Sequence, residues 1–121
     1  MKIAIIGSGN VGGALALQWI KAGHHVLIGA KFPLSEKNIR LATKIVEDKF
    51  TNISFAVKQS DVILIATPPT AIFDIIEQMG DVSNKILIDA TNTVRHKPAP
   101  YETVYHALTD KTAANVVKCF N

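Results

Sequence analysis

The chain has 121 residues, 48% of them hydrophobic and 19% charged, which is the balance of one globular domain and excludes a disordered chain. Thirteen Lys and Arg against ten Asp and Glu give a net charge of +3 with no basic run, so nucleic acid is not the expected partner. The short apolar runs predict no signal peptide and no membrane span, and the single cysteine, Cys119, cannot form an internal disulfide, which favours a cytoplasmic location.

Apolar runs alternate with helical patterns along the whole chain. A strand over 2–6 ends at a glycine turn, and apolar spacing predicts a helix over 10–22 and then a strand over 25–29. The later predicted elements are a helix over 35–48, strands over 52–57 and 61–67, a helix over 70–79, a strand over 85–90, a helix over 101–109 and a strand over 115–120. Such alternation is typical of an α/β fold, a doubly wound parallel sheet in which crossover helices join the strands.

A glycine turn follows the first strand and fits G-x-G-x-x-G, with the residues Gly7, Ser8, Gly9, Asn10, Val11 and Gly12. Between a strand and a helix, this pattern indicates a dinucleotide site in a Rossmann-type sheet, here with the expected strand order 3-2-1-4-5-6. Gly7 permits the tight turn, Gly9 lets a pyrophosphate approach the backbone, and Gly12 lets the helix pack closely on the strand. The helix N-terminus offers free N–H groups to the phosphates. The alternative is a glycine turn that binds nothing.

The residues after the second strand indicate which dinucleotide is preferred. An NAD site usually places Asp or Glu there, to bond the ribose 2′-hydroxyl. This sequence has Ala30 and Lys31 instead, and no acidic residue before Glu36. A charge-assisted bond from Lys31 to a 2′-phosphate would contribute about 1.5–3 kcal/mol, which favours NADP(H) by about ten- to hundredfold. The alternative is that Lys31 is only a solvated lysine.

Several stretches, taken in order, resemble one known family. They are 3–12, 25–29 with the basic residue that follows, 61–68, 89–92 and 116–121. Together they resemble the N-terminal domain of the NADP oxidoreductases that depend on coenzyme F420, a deazaflavin, and of related dinucleotide-binding reductases. The resemblance covers the whole chain, but these relatives reduce different acceptors.

The resemblance implies a cofactor-binding role for the loop 7–12, Ala30, Lys31, Thr67, Pro68, Thr91 and Asn92. In the family, the first loop holds the pyrophosphate and a Ser-Arg pair takes the 2′-phosphate where this chain has Ala30 and Lys31. Thr67 and Pro68 are expected to line the cofactor cleft, and the stretch 89–92 to lie near the nicotinamide. Relatives continue beyond this length with a segment for the acceptor pocket and the dimer contact. The chain is therefore expected to be a single NADP(H)-binding domain over 1–121 that lacks this segment.

Hydride transfer between two cofactors needs positioning more than proton transfer, so no catalytic acid or base is expected. Asp89 is expected to cap a turn, and the histidines lack the spacing of metal ligands. The leading hypothesis is an NADP(H)-dependent oxidoreductase domain that passes hydride to a deazaflavin, a flavin or a small acceptor. An uncovered sixth strand could support a homodimer. Two alternatives stay open: a non-catalytic NADP(H)-sensing module, and a fragment of an enzyme like pyrroline carboxylate reductase.

Overall fold

Strands and helices alternate along the described chain, which in this computed structural model comprises residues 1–7, 10–30, 49–93 and 95–119. The strands are β1 (Lys2–Ile6), β2 (His25–Gly29), β3 (Phe50–Thr51), β4 (Val62–Ile65), β5 (Ile86–Asp89) and β6 (Asn115–Lys118). The helices are α1 (Asn10–Lys21), α2 (Ile53–Lys58), α3 (Ile72–Met79) and α4 (Val104–Lys111), with a 3-10 turn at Pro69–Ala71 before α3. None of these helices is both long and apolar enough to cross a membrane.

The six strands form one parallel sheet in the order β3-β2-β1-β4-β5-β6, which confirms the predicted doubly wound topology. The direction of winding reverses between β1 and β4, so a crevice opens where these two strands end. One row of paired residues crosses the sheet at this edge: Thr51, Gly29, Ile6, Ile65, Asp89 and Lys118. The carboxyl ends of all six strands therefore meet along one edge.

Helices pack against both faces of the sheet, and this explains the unbroken apolar runs of the central strands. The residues of 3–6 and 63–65 are each at most 4% exposed. Helices α2, α3 and α4 cover one face, whereas α1 is the one described helix that packs on the other. On the α1 face, Ile86 of β5 and Val117 of β6 remain 42% and 47% exposed.

The predicted strand over 52–57 is wrong, because β3 ends before it and α2 occupies most of it. Ile53, Phe55 and Val57 alternate with smaller residues and so imitate the period of a strand. The buried residues are instead Ile53, Ala56 and Val57, at helical spacing, and Phe55 is 49% exposed. The side chain of Asn52 starts the helix by accepting a hydrogen bond from the Phe55 N–H at 2.8 Å.

The remaining predicted elements differ from the structure mainly at their ends. The last helix begins at Val104 because the Thr103 hydroxyl caps it, accepting from the N–H of His106 at 3.1 Å. The sixth strand ends at Lys118, although the Cys119 N–H still donates to the Asp89 carbonyl at 2.9 Å. The predicted helix over 35–48 lies outside the described residues.

Candidate dinucleotide site

Gly7 closes the end of β1 against the end of β4. Its φ of +111° lies in the left-handed region, and a Cβ there would stand 2.4 Å from the Ala66 carbonyl oxygen. Its N–H donates to the Gly29 carbonyl at 3.3 Å, while the Ala66 N–H donates to the Ile6 carbonyl at 2.9 Å. The predicted role of Gly7 in a tight turn is therefore confirmed.

The first turn of α1 lies directly on this glycine turn. A Cβ on Gly12 would stand 2.4 Å from the Gly7 carbonyl oxygen and 3.3 Å from Cγ2 of Ile5. The predicted close packing of helix on strand at Gly12 is thus confirmed. The first turn of α1 contains no acidic residue, so none of its side chains repels an anion at the helix N-terminus. Asn10 begins α1 and Val11 is 49% exposed, whereas Ser8 and Gly9 lie outside the described residues.

Thr67 follows β4 on the opposite side of the crevice. Its Oγ1 is buried and has no hydrogen-bond partner within the described ranges. Its Cγ2 lies 3.1 Å from the position that a Cβ on Gly7 would take, so the threonine contacts the glycine turn. A buried hydroxyl without a partner costs about 1–3 kcal/mol. A polar ligand in the crevice would remove this cost, so the residues present fit a phosphate- or ribose-containing group. Pro68 follows and is exposed.

The end of β2 is tightly packed. A Cβ on Gly29 would stand 2.9 Å from Cδ1 of Ile6 and 3.2 Å from Cα of Ile53, because α2 packs against this strand end. Ala30 comes next, half-buried, and its N–H donates to the Thr51 carbonyl at 3.0 Å. Ala30 therefore lies at the edge where the 2′-phosphate is expected. Lys31 is outside the described residues, and its role stays a prediction.

The loop after β5 is organised by a buried carboxylate. Asp89 is fully buried, and its Oδ1 accepts from the Thr91 N–H at 2.8 Å and from the Thr91 hydroxyl at 2.6 Å. The predicted turn-capping role of Asp89 is thus confirmed. Thr91 is 5% exposed and its hydroxyl donates inward, whereas Asn92 is exposed. Of the two predicted cofactor contacts in this loop, Thr91 therefore anchors the loop while Asn92 faces outward.

Lys118 ends β6 and completes this arrangement, although sequence reasoning assigned it no role. Its Nζ donates to the carbonyl oxygens of Thr91 at 2.7 Å, Asp89 at 3.2 Å and Cys119 at 3.4 Å. The same nitrogen lies 3.8 Å from Oδ2 of Asp89, so the ammonium group compensates the buried charge. The sequence does show a lysine that interrupts an apolar strand. Only the sheet register, which pairs Lys118 with Asp89, shows which residues the lysine contacts.

Among the described residues, three groups have shifted pKa values, and none of them is a predicted site residue. A hydrogen bond to the Asp110 carboxylate raises the pKa of Tyr101, and a hydrogen bond from Lys97 lowers the pKa of Glu102. The backbone N–H of Ser83 lowers the pKa of Asp81. Within the described ranges, no group of three or more His, Cys, Asp or Glu side chains is placed to hold a metal ion.

Comparison with known proteins gives a family match over most of the chain. Residues 2–93 match the sequence profile of the family described as NADP oxidoreductase, coenzyme F420-dependent. This segment contains the glycine turn, the end of β2, the end of β4 and the loop after β5. No functionally curated protein matches the chain.

Solved structures share the fold over nearly the whole chain. A protein from Arthrobacter sp. FB24, provisionally described as an F420-dependent NADP-reductase, superposes with a TM-score of 0.81 at 20% identity, covering 98% of this chain and 61% of that one. A hypothetical protein from Sinorhizobium meliloti has a TM-score of 0.73 at 28% identity, covering 100% and 62%. An imine reductase from Streptomyces aurantiacus has a TM-score of 0.73 at 12% identity, covering 98% and 40%. The chain thus spans less than two thirds of the length of these proteins.

Proposed function

The chain belongs to the coenzyme F420-dependent NADP oxidoreductase family, and from this premise we propose that it is the NADP(H)-binding domain of an oxidoreductase. The nicotinamide ring, when bound, supplies or accepts a hydride. The second reactant in this proposal is a deazaflavin, a flavin or another small acceptor. The proposed location is cytoplasmic.

One observation carries the proposal: two glycines and one unpaired hydroxyl meet at the switch point of the sheet. At both Gly7 and Gly12, a Cβ would stand 2.4 Å from a backbone oxygen, so the turn can keep this shape only with glycine. The buried Thr67 hydroxyl beside them has no partner among the described residues. A polar group of a ligand bound in the crevice would give this hydroxyl a partner, and this supports the proposal.

The chain's own residues divide the work of binding. The N-terminus of α1 and the loop 7–12 bind the pyrophosphate, since free N–H groups and the helix dipole favour negative charge there. Ala30 and Lys31, at the end of β2, take the 2′-phosphate of the adenosine half. Thr67 and Pro68 line the crevice across from the glycine turn. The loop 89–92 contacts the nicotinamide half, with Asn92 outward and Thr91 holding the loop in place.

The acceptor site is proposed to include chain outside these 121 residues. The two solved relatives with the fuller coverage have 61% and 62% of their length matched here, so each has a further segment of its own. The open α1 face of β5 and β6, with Ile86 and Val117 exposed, provides apolar surface for such a segment or for a second copy. We propose that the further segment completes the acceptor pocket on this side of the sheet. A homodimer contact is proposed for the same side.

A titration of the purified chain with NADPH and with NADH, followed by ligand fluorescence at low salt, tests the proposal. We expect NADPH to bind at least about tenfold more tightly than NADH, because Lys31 would meet the 2′-phosphate. Equal affinities for NADPH and NADH would show that Lys31 does not contact the 2′-phosphate. Binding of neither ligand would overturn the proposal. Oxidation of NADPH when a deazaflavin or flavin is then added would identify an enzyme domain and exclude a module that only senses NADP(H).

A further inference from the structure

We infer that Lys118 is a positioning residue for the nicotinamide half of the cofactor, because its ammonium group fixes the loop 89–92 from behind. The inference rests on the proposed function, since it requires NADP(H) in the crevice. It assigns a role to a residue at the far end of the chain, outside the segment that matches the family profile.

The position of the loop follows from the topology. In a doubly wound sheet, the adenosine ribose lies near the end of the second strand and the pyrophosphate lies at the first glycine turn. The remaining half of a dinucleotide must then cross the switch point towards the ends of β4 and β5. Asp89 ends β5 beside Ile65 of β4, so the loop 89–92 borders that half of the crevice.

The ammonium group of Lys118 is fully engaged with this loop and its neighbour. A surface lysine usually extends its charged end into water. Lys118 instead has a side chain that is 28% exposed, and its three N–H donors meet three carbonyl oxygens. The shortest of these bonds, at 2.7 Å, goes to Thr91.

Thr91 is therefore held from two directions. Its N–H and hydroxyl donate to Asp89, while its carbonyl oxygen accepts from Lys118. These three hydrogen bonds restrain the residue, so the backbone that leaves it towards Asn92 starts from a defined point. Without Lys118 the carbonyl end of this anchor is free and the Asp89 carboxylate loses its counter-charge. The loop would then present a variable surface to the nicotinamide.

Two ligands separate this role from a general structural one. NADPH spans both halves of the crevice, whereas 2′,5′-ADP carries only the adenosine half. We expect Lys118→Met to weaken NADPH binding by about tenfold and to leave 2′,5′-ADP binding unchanged within about twofold. Lys118→Arg keeps the positive charge and several donors, so it should restore much of the NADPH affinity. The matched control is Lys111→Met, an exposed lysine at the end of α4, for which neither affinity should change.

The outcomes are distinct. If the wild-type chain binds neither ligand, the proposed function fails and the inference with it. If the wild type binds both and Lys118→Met binds both as well as the wild type does, the inference alone is overturned. Equal weakening of both ligands overturns it too, because the effect would then be general damage.

A second variant keeps the test available if Lys118→Met does not fold. Asp89→Asn removes the buried charge, so adding Lys118→Met in that background leaves no unpaired carboxylate. The comparison then runs between Asp89→Asn alone and the double variant. A selective loss of NADPH binding in the double variant supports the inference, and equal binding of both ligands by the two proteins overturns it.

Discussion

The carbonyl oxygen of Gly7 occupies the space that a side chain on Gly12 would need, since it lies 2.4 Å from the position of that residue's Cβ. The first turn of α1 can therefore rest on the glycine turn only if position 12 has no side chain. This contact sets how closely the helix N-terminus approaches the crevice. The geometry of the candidate phosphate site therefore depends on the absence of a side chain at Gly12.

Gly12→Ala should lower both stability and cofactor binding. The new methyl group must displace the backbone at Gly7, and overpacking of this kind typically costs about 1–3 kcal/mol. Thermal unfolding and NADPH titration measure the two effects. The control is Ala14→Gly at an exposed position of α1, which should cost about 1 kcal/mol of stability without moving the glycine turn. NADPH affinity that falls equally in both variants would contradict the local explanation.

Thr67→Val should separate binding from stability. Valine keeps the shape of threonine but removes the hydroxyl, which has no partner among the described residues. Stability should stay the same or rise, whereas NADPH affinity should fall by about 0.5–1.5 kcal/mol through the loss of one hydrogen bond. Thr70→Val, at an exposed position of the 3-10 turn, serves as the control. Unchanged NADPH affinity in Thr67→Val would show that this hydroxyl does not contact the cofactor.

Tyr101 should make the fold sensitive to alkaline pH. The hydrogen bond to Asp110 raises the pKa of the Tyr101 hydroxyl above the value near 10 of an unfolded chain. A group whose pKa is raised by folding stabilises the fold below its unfolded pKa, and this contribution is lost as pH rises through the folded pKa. The thermal midpoint should therefore fall more steeply above about pH 10 in the wild type than in Tyr101→Phe. Tyr105→Phe, which removes the other tyrosine, should keep the wild-type profile; identical profiles for all three proteins would contradict the prediction.

Asn52→Ala should destabilise the protein by about 0.5–2 kcal/mol, because the variant leaves the first turn of α2 without its cap. In the wild type, the Phe55 N–H donates to the Asn52 side chain at 2.8 Å. Asn52→Asp should retain most of the stability, since aspartate caps as well as asparagine does. Ser54→Ala, at an exposed position within α2, is the control. Chemical denaturation of the four proteins checks the prediction, and a loss in Ser54→Ala equal to that in Asn52→Ala would count against it.

Most of the sheet was predictable because parallel strands covered on both faces leave unbroken apolar runs, as at 63–65. The glycine turn was predictable for a similar reason, since its spacing reflects a local steric need. The stretch 52–57 was misread because six residues are too few to distinguish a period of two from a period of 3.6. Its helical character depends on which side chains the sheet buries, and that is a tertiary property.

Lys118 shows a second reason why some site residues could not be predicted from the sequence. Its partners lie 27 and 29 residues earlier in the chain, and they become neighbours only through the pairing of β5 with β6. Local spacing carries no trace of such a contact. Sequence reasoning did identify Asp89 as a turn cap, because the residues that it holds follow directly after it.

The tight packing around Gly29 constrains how cofactor preference can change in this chain. An acidic residue that selects NAD usually stands at the end of the second strand. At Gly29, a Cβ would stand 2.9 Å from Cδ1 of Ile6 and 3.2 Å from Cα of Ile53, so a carboxylate side chain placed there would require both neighbours to shift. If the chain prefers NADP(H) as proposed, an acidic residue that selects NAD is therefore accommodated more readily from Ala30 onward than at Gly29, and the packing of the core restricts which mutational routes lead from one coenzyme to the other.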